Sequence, residues 1–255
     1  MKTYVITPLF CKAMLFYDQL EHMRRTQLFT KDIHHVVVND HYPIDYKLNG
    51  QLLWMFAKEY GCQYLNEGKG NRGMQSAINY ALKIIQPEDD DVIILSDVDD
   101  RAEPESYEAL VRVIRSDDSI AVAALSFPQI DINASKLNPI PEIKTGPHFG
   151  DSYWVHPNVD QWHIAAYRFA WIKSIGGFGQ AYPYWGGLES YLYSKFKPQG
   201  KVLVYLTSHT CRDLSQDPKF RDHKLFFDPE FKEYKKHIHT TQYKGSFSEW
   251  LTKQS

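Results

Sequence analysis

The chain has 255 residues, 43% of them hydrophobic, with a formal charge of −2 and a sequence pI of about 6.6. This is enough for one sizeable α/β domain with a short extension, and it lacks the global basic excess of a nucleic-acid binder. Three widely spaced cysteines, Cys11, Cys62 and Cys211, form no Cys-X-X-Cys pair; they exclude a disulfide framework or zinc knuckle and suit a reducing compartment.

The chain opens on a β-branched run at residues 4–7 with no basic-then-apolar leader before it, so no signal peptide is expected. Residues 12–29 place Met14, Leu15, Tyr17, Leu20, Met23 and Leu28 at helical spacing. A second strand over 35–38 runs into Asn39 and Asp40. A second helix over 48–60 carries Leu52, Leu53, Phe56 and Tyr60 on one side. A third strand (62–65), a third helix (73–85) and a fourth strand (92–95) complete a βαβαβαβ order. That order predicts a mostly parallel sheet with helices on both faces. Ligands of such sheets lie at the carboxyl ends of the strands, here near Asp40, Asn66-Glu67 and Asp97.

Residues 128–160 hold Pro128, Pro139, Pro141, Pro147 and Pro157 and predict a long irregular insertion. Regular patterning resumes over 164–175, with a helix over 188–196 and a strand over 202–206. After Asp213 the chain is charged and aromatic, read as a C-terminal extension over 216–255. Its Lys232, Lys235, Lys236 and Lys244 offer a surface for nucleic acid or anionic membrane, or simply a solvated face. No apolar stretch approaches the roughly 20 residues that span a bilayer, so no transmembrane segment and a cytoplasmic location are expected.

The strongest signal is Val92-Ile93-Ile94-Leu95-Ser96-Asp97-Val98-Asp99-Asp100, a hydrophobic strand that delivers three carboxylates at its end. Clustered like charges repel, and a hard divalent cation bound together with a diphosphate resolves the repulsion. A solvated acidic turn is the plain alternative. An EF-hand loop is disfavoured because Arg101 and Ala102 stand where a ligand and a glycine are needed. A phosphohydrolase with an aspartate nucleophile is disfavoured because Arg101 follows the acids and the strand is the fourth.

Asp97-Val98-Asp99 resembles the Asp-X-Asp motif of GT-A glycosyltransferases, and Asp100 resembles the extra acid of the family 2 pattern. The resemblance covers about residues 1–215. It implies a GT-A (Rossmann-like) fold, Asp97 on the ribose side of a nucleotide and Asp99 on the metal. Asp40 matches an acid that contacts the base, though an Asp that caps a turn explains it equally. Gly68-Lys69-Gly70-Asn71-Arg72-Gly73 is similar to the family's glycine-rich stretch before a helix, where Lys69 and Arg72 would meet phosphate oxygens; a plain glycine turn is the alternative. Gly176-Gly177-Phe178 followed by Glu189, Leu192 and Lys195 resembles the family's Gly-Gly-Phe segment and acidic helix start. This puts Glu189 in the place of the catalytic base, although Leu188 replaces the first acid of the usual pair. A helix-capping Glu is the bland reading. His209, after the late strand, resembles a metal-ligating histidine, and with carboxylates and a diphosphate it suits Mn2+ or Mg2+.

The resemblance implies metal-dependent, inverting transfer of a sugar from a nucleotide sugar, with a UDP-sugar as the first candidate, to an acceptor hydroxyl. The insertion 128–160 and the run Tyr182, Tyr184 and Trp185 would line the acceptor side. A lipopolysaccharide or capsular glycan, a small metabolite, a protein or a modified base in DNA all remain open as acceptor. The alternatives are a nucleotidyltransferase, which lacks its early glycine-rich signature here, and a non-catalytic nucleotide-sugar-binding module.

Overall fold

The computed structural model describes residues 1–9, 13–39, 47–66, 73–127, 135–137, 139, 141–148, 150–157, 162–179 and 188–214. In chain order these form β1 (Thr3–Leu9), α1 (Ala13–Arg25), β2 (Ile33–Asn39), α2 (Lys47–Glu59), β3 (Gln63–Asn66), α3 (Met74–Ile85), β4 (Val92–Leu95) and β5 (Asp100–Ala102). There follow α4 (Ser106–Ser116), β6 (Ile120–Ser126), β7 (Ile143–Thr145), β8 (Ser152–His156), β9 (Ala165–Arg168), α5 (Phe169–Ser174), α6 (Leu188–Phe196) and β10 (Val202–Asp213).

Nine strands follow the order β3-β2-β1-β4-β9-β6-β10-β8-β7, and β5 pairs with the far end of β10. The β1–β2, β2–β3, β1–β4 and β6–β10 pairs are parallel, whereas β9 runs antiparallel to both β4 and β6. Every residue of β1, β4 and β6 is buried. Strands covered on both faces need such unbroken apolar runs.

The alternation along β2 shows the two covered faces. Val36 and Val38 join the large core with Ala77, Ile78 and Ala81 of α3 and Leu110 and Val113 of α4. Val37 points the other way, into a smaller core with Phe16 and Leu20 of α1 and Leu53 and Ala57 of α2. Period-2 side chains on the strands thus meet helical stripes on either side, as the sequence predicts.

Three features depart from the sequence reading. The proline-rich insertion contains β7 and β8, whose short runs of three and five residues give too little alternation to read. The regular pattern over 164–175 divides into a four-residue strand and a short helix. The late strand continues beyond residue 206 to Asp213 through the polar run Thr207-Ser208-His209-Thr210, with a register irregularity against β6 between Leu206 and Thr210. No helix among the described residues is long and apolar enough to cross a membrane.

Candidate active site

The acidic cluster lies where β4 leaves the sheet. Ser96 N donates to Ile6 O of β1 at 3.1 Å, and Asp100 N donates to Asp97 O at 3.1 Å, closing a tight turn over the four residues from Asp97 to Asp100. The chain then enters β5, which pairs with β10 so that Asp100 stands opposite Asp213. Leu214 N donates to Asp99 O at 2.9 Å and fixes the same junction. Asp97 and Asp99 are half-buried, whereas Asp100 is 1% exposed.

His163, just before β9, sits between the two opposed acids. Its Nδ1 lies 3.1 Å from Asp100 Oδ1 and its Nε2 lies 3.9 Å from Asp213 Oδ2. Burial opposes charge on the imidazole, but the contact with Asp100 and the charges of Asp100, Asp213 and Asp97 outweigh it and raise its pKa. Burial raises the Asp100 carboxyl, against the pull of His163. Asp100 Oδ2 is buried and accepts no hydrogen bond from the described residues. An acceptor without a donor in a low-dielectric site is costly. One ligand atom each from Asp100, His163 and Asp213 lie within 4.8 Å of one another. Two carboxylate oxygens and an imidazole nitrogen are a donor set that suits Mn2+ and also Mg2+, so the residues present fit a divalent cation.

Glu189 approaches from the other half of the molecule, in the first turn of α6. Leu188, Leu192 and Phe196 bury the inner stripe of that helix and leave Glu189 half-buried at its start. Burial raises the Glu189 carboxyl above the ordinary range, opposed by a hydrogen bond from its own main chain and by the charge of His163. The charges of Glu189 and Asp97 both act on the buried Tyr167 hydroxyl. The acidic turn and His163 therefore meet at the end of β9 that begins with Ala165, and the charge of His163 acts on Glu189. Trp162 Nε1 donates to that Tyr167 hydroxyl at 2.7 Å.

The Gly-Gly-Phe segment has a steric origin. Gly176 and Gly177 hold φ of 83° and 92°, in the left-handed region that disfavours a side chain. A Cβ on Gly177 would stand 2.7 Å from Asn79 Oδ1. Asn79, on α3, receives the Phe178 N–H at 3.0 Å and donates to Gly179 O at 2.7 Å. One side chain thus replaces two missing main-chain partners of the turn that leads toward α6. Phe178, fully buried, packs edge-on against Tyr167 at 5.2 Å.

His209 is not gathered with these groups. It stands four residues before Asp213 on β10 and is not among the three residues whose ligand atoms lie within 4.8 Å of one another. Its Nδ1 is 3.1 Å from Ser208 Oγ, and its charge acts on Asp151. Asp40, Lys69, Arg72, Tyr184 and Trp185 lie outside the described residues, as does the extension 216–255. The sequence does not single out His163, Asp213 or Asn79. His163 is a lone histidine with no spaced partner, and Asp213 needs the full length of β10 to reach Asp100.

A sequence profile of the family described as Glycosyl transferase family 2 matches residues 17–176. No curated protein matches the sequence. Among solved structures, the mannosyltransferase PcManGT from Pyrobaculum calidifontis, in complex with GDP-Man and Mn2+, is 15% identical with a TM-score of 0.56; the match covers 85% of this chain and 58% of that one. S. aureus TarS 1–349, in complex with UDP-GlcNAc, is 17% identical with a TM-score of 0.57, covering 85% and 61%. Glucosyl-3-phosphoglycerate synthase from Mycobacterium tuberculosis, in complex with Mn2+, UDP and glucosyl-3-phosphoglycerate, is 13% identical with a TM-score of 0.52, covering 83% and 72%. At these identities the likeness is one of fold, and this chain spans less than two thirds of the first two.

Proposed function

The chain belongs to glycosyl transferase family 2, and from that premise we propose that it moves a sugar from a nucleotide sugar, a UDP-sugar first among the candidates, to an acceptor hydroxyl. The observation that carries this reading is the acidic turn from Asp97 to Asp100 at the exit of β4, where Asp100, His163 and Asp213 each bring a ligand atom within 4.8 Å of the others, together with Glu189 in the first turn of α6. The complexes of similar fold with GDP-Man and Mn2+, with UDP-GlcNAc, and with UDP and Mn2+ support the same class of donor.

In this reading Asp97 faces the ribose, and Asp40, Lys69 and Arg72 remain the proposed contacts to base and phosphates. Asp99 would hold a divalent cation, Mn2+ or Mg2+. Asp100, His163 and Asp213 would supply further ligand atoms, and His209 remains a proposed ligand from β10. When bound, the cation supplies positive charge to the departing nucleoside diphosphate. Glu189 accepts the proton of the acceptor hydroxyl as its oxygen bonds to the anomeric carbon. The bond from that carbon to the diphosphate breaks, and its electron pair leaves with the diphosphate in a single inverting displacement. Tyr184 and Trp185 are the proposed acceptor-side residues, and the acceptor is a glycan, a small metabolite or a nucleic acid.

Titration calorimetry with UDP, GDP, CDP and TDP, each with and without Mn2+, tests the donor site. We expect one nucleotide to bind only with metal, and Asp99→Ala to abolish that binding. A folded protein that binds none of the four, or an Asp99→Ala protein that binds as well as wild type, sinks the reading.

A further inference from the structure

The acidic turn is held by a network that no catalytic role explains. Its main-chain carbonyls are all occupied. Asp97 O accepts from Asp100 N and, at 2.6 Å, from Gln19 Nε2 of α1. Val98 O accepts from Arg101 Nη1 at 2.9 Å, and Asp99 O accepts from Leu214 N. Asp100 O accepts from Arg101 Nη1 at 2.8 Å. Arg101 is in turn fixed to α1: its Nη2 lies 2.6 Å and its Nε 3.1 Å from Asp18 Oδ2, and Nη2 also reaches Leu15 O at 3.3 Å. One turn further along α1, His22 Nε2 sits 2.7 Å from Ala102 O.

Gln19 is 2% exposed, and its Oε1 has no hydrogen-bond partner among the described residues. A methionine of the same reach would remove that unpaired acceptor together with the 2.6 Å donation to Asp97 O, so what the glutamine adds at this place is its hold on the turn. The one strong contact Gln19 makes is to the carbonyl of the first acid of the turn. Arg101 is 8% exposed and spans two carbonyls with one guanidinium nitrogen while pairing with Asp18. Only a planar fork with several fixed donors does this; an ammonium on a flexible stem does not.

We infer that Gln19 and Arg101 are positioning residues that lock the acidic turn from Asp97 to Asp100 in the geometry that receives the metal and the diphosphate. The inference rests on the donor-site reading above and deepens it. With every peptide plane of the turn fixed, the carboxylates are presented in one arrangement before any ligand arrives, and pre-organised groups bind without an ordering cost. Helix α1 thereby acts as the brace of the site, although it carries none of the reacting groups.

The test compares wild type with Gln19→Met and Arg101→Lys by thermal melting and by calorimetry with Mn2+ and whichever nucleoside diphosphate the wild type binds. For Gln19→Met we expect an unchanged or higher melting midpoint together with about a tenfold weaker Kd for Mn2+ and nucleotide, the lower end of the loss seen when a residue supporting a metal ligand is removed. Arg101→Lys keeps the charge beside Asp18 and should lose at least as much affinity. A merely structural residue would lower the midpoint and leave the Kd alone. Wild-type affinity in Gln19→Met overturns the inference while the donor site stands. A wild type that binds no nucleotide with Mn2+ overturns the donor-site reading, and this inference with it.

Discussion

At the scale of single residues, burial is the main cause that raises both the Asp100 and the Glu189 carboxyl, but their neighbours and tasks differ. Asp100 is buried against His163, which opposes the effect of its burial. Glu189 is half-buried and raised chiefly by desolvation. A general base works only when deprotonated, so activity falls as pH drops through its folded pKa. Because the Glu189 value lies above the ordinary 4.5, the acidic limb of kcat/KM should lie above that value. Glu189→Gln should retain metal-dependent nucleotide binding and lose about 10²–10⁴-fold in turnover, the range for a removed general base, and the acidic limb should disappear from whatever rate remains. Transfer at the wild-type rate by that variant would falsify the assignment.

At the scale of elements, the site depends on how helices hold turns. Asn79 of α3 and the turn holding Gly177 form one unit, since the carboxamide that binds the Phe178 N–H also fills the space a Cβ on Gly177 would need. Asn79→Ala removes both hydrogen bonds of the carboxamide and leaves two main-chain groups to find other partners, a loss of roughly 1–3 kcal/mol in stability. Gly177→Ala meets both the 2.7 Å contact and a φ of 92°. In the Asn79→Ala background only the backbone strain persists. Urea denaturation of the two single variants and the double variant should therefore give a double-variant loss smaller than the sum, with a coupling of about 0.5–3 kcal/mol as for residues in direct contact. Strict additivity would mean that the carboxamide moves aside at no cost.

The same scale shows what was legible beforehand. The helices α1, α2 and α3 and the strand β4 read directly because their apolar spacing is set by one buried stripe or one buried run. Asp97, Asp99 and Glu189 stand where the sequence places them, at the end of β4 and in the first turn of α6, because each opens or closes such an element. Strand β9 did not read as antiparallel, because Ala165, Ala166 and Tyr167 are all buried between β4 and β6 and a fully covered strand has no alternation to give its direction away. Asp213 and His163 were illegible because their meeting depends on strand pairing across about 50 residues of chain, a non-local fact that no local pattern records.

At the scale of the whole molecule, the family match and the folding unit differ in extent. The match covers residues 17–176, but β1 lies before it and β10 after it. Both are interior strands: β1 separates β2 from β4, and β10 separates β6 from β8. The residues from Leu203 to Leu206 in β10 are 0–1% exposed. At roughly 1.5–3 kcal/mol for each large apolar side chain buried, their removal takes away a gross burial term that a fold of marginal net stability does not spare. Removing β10 also leaves β6 with an unpaired edge, which invites association between chains, and strips Asp213 from the acidic cluster. A fragment of residues 17–176 should therefore show no cooperative thermal transition by circular dichroism and should bind a dye for exposed apolar surface, whereas the full chain should melt in one sharp step. A cooperative melt of the fragment would mean that β4, β6 and β9 form a self-sufficient core, and that β1 and β10 serve to complete the site rather than to hold the fold.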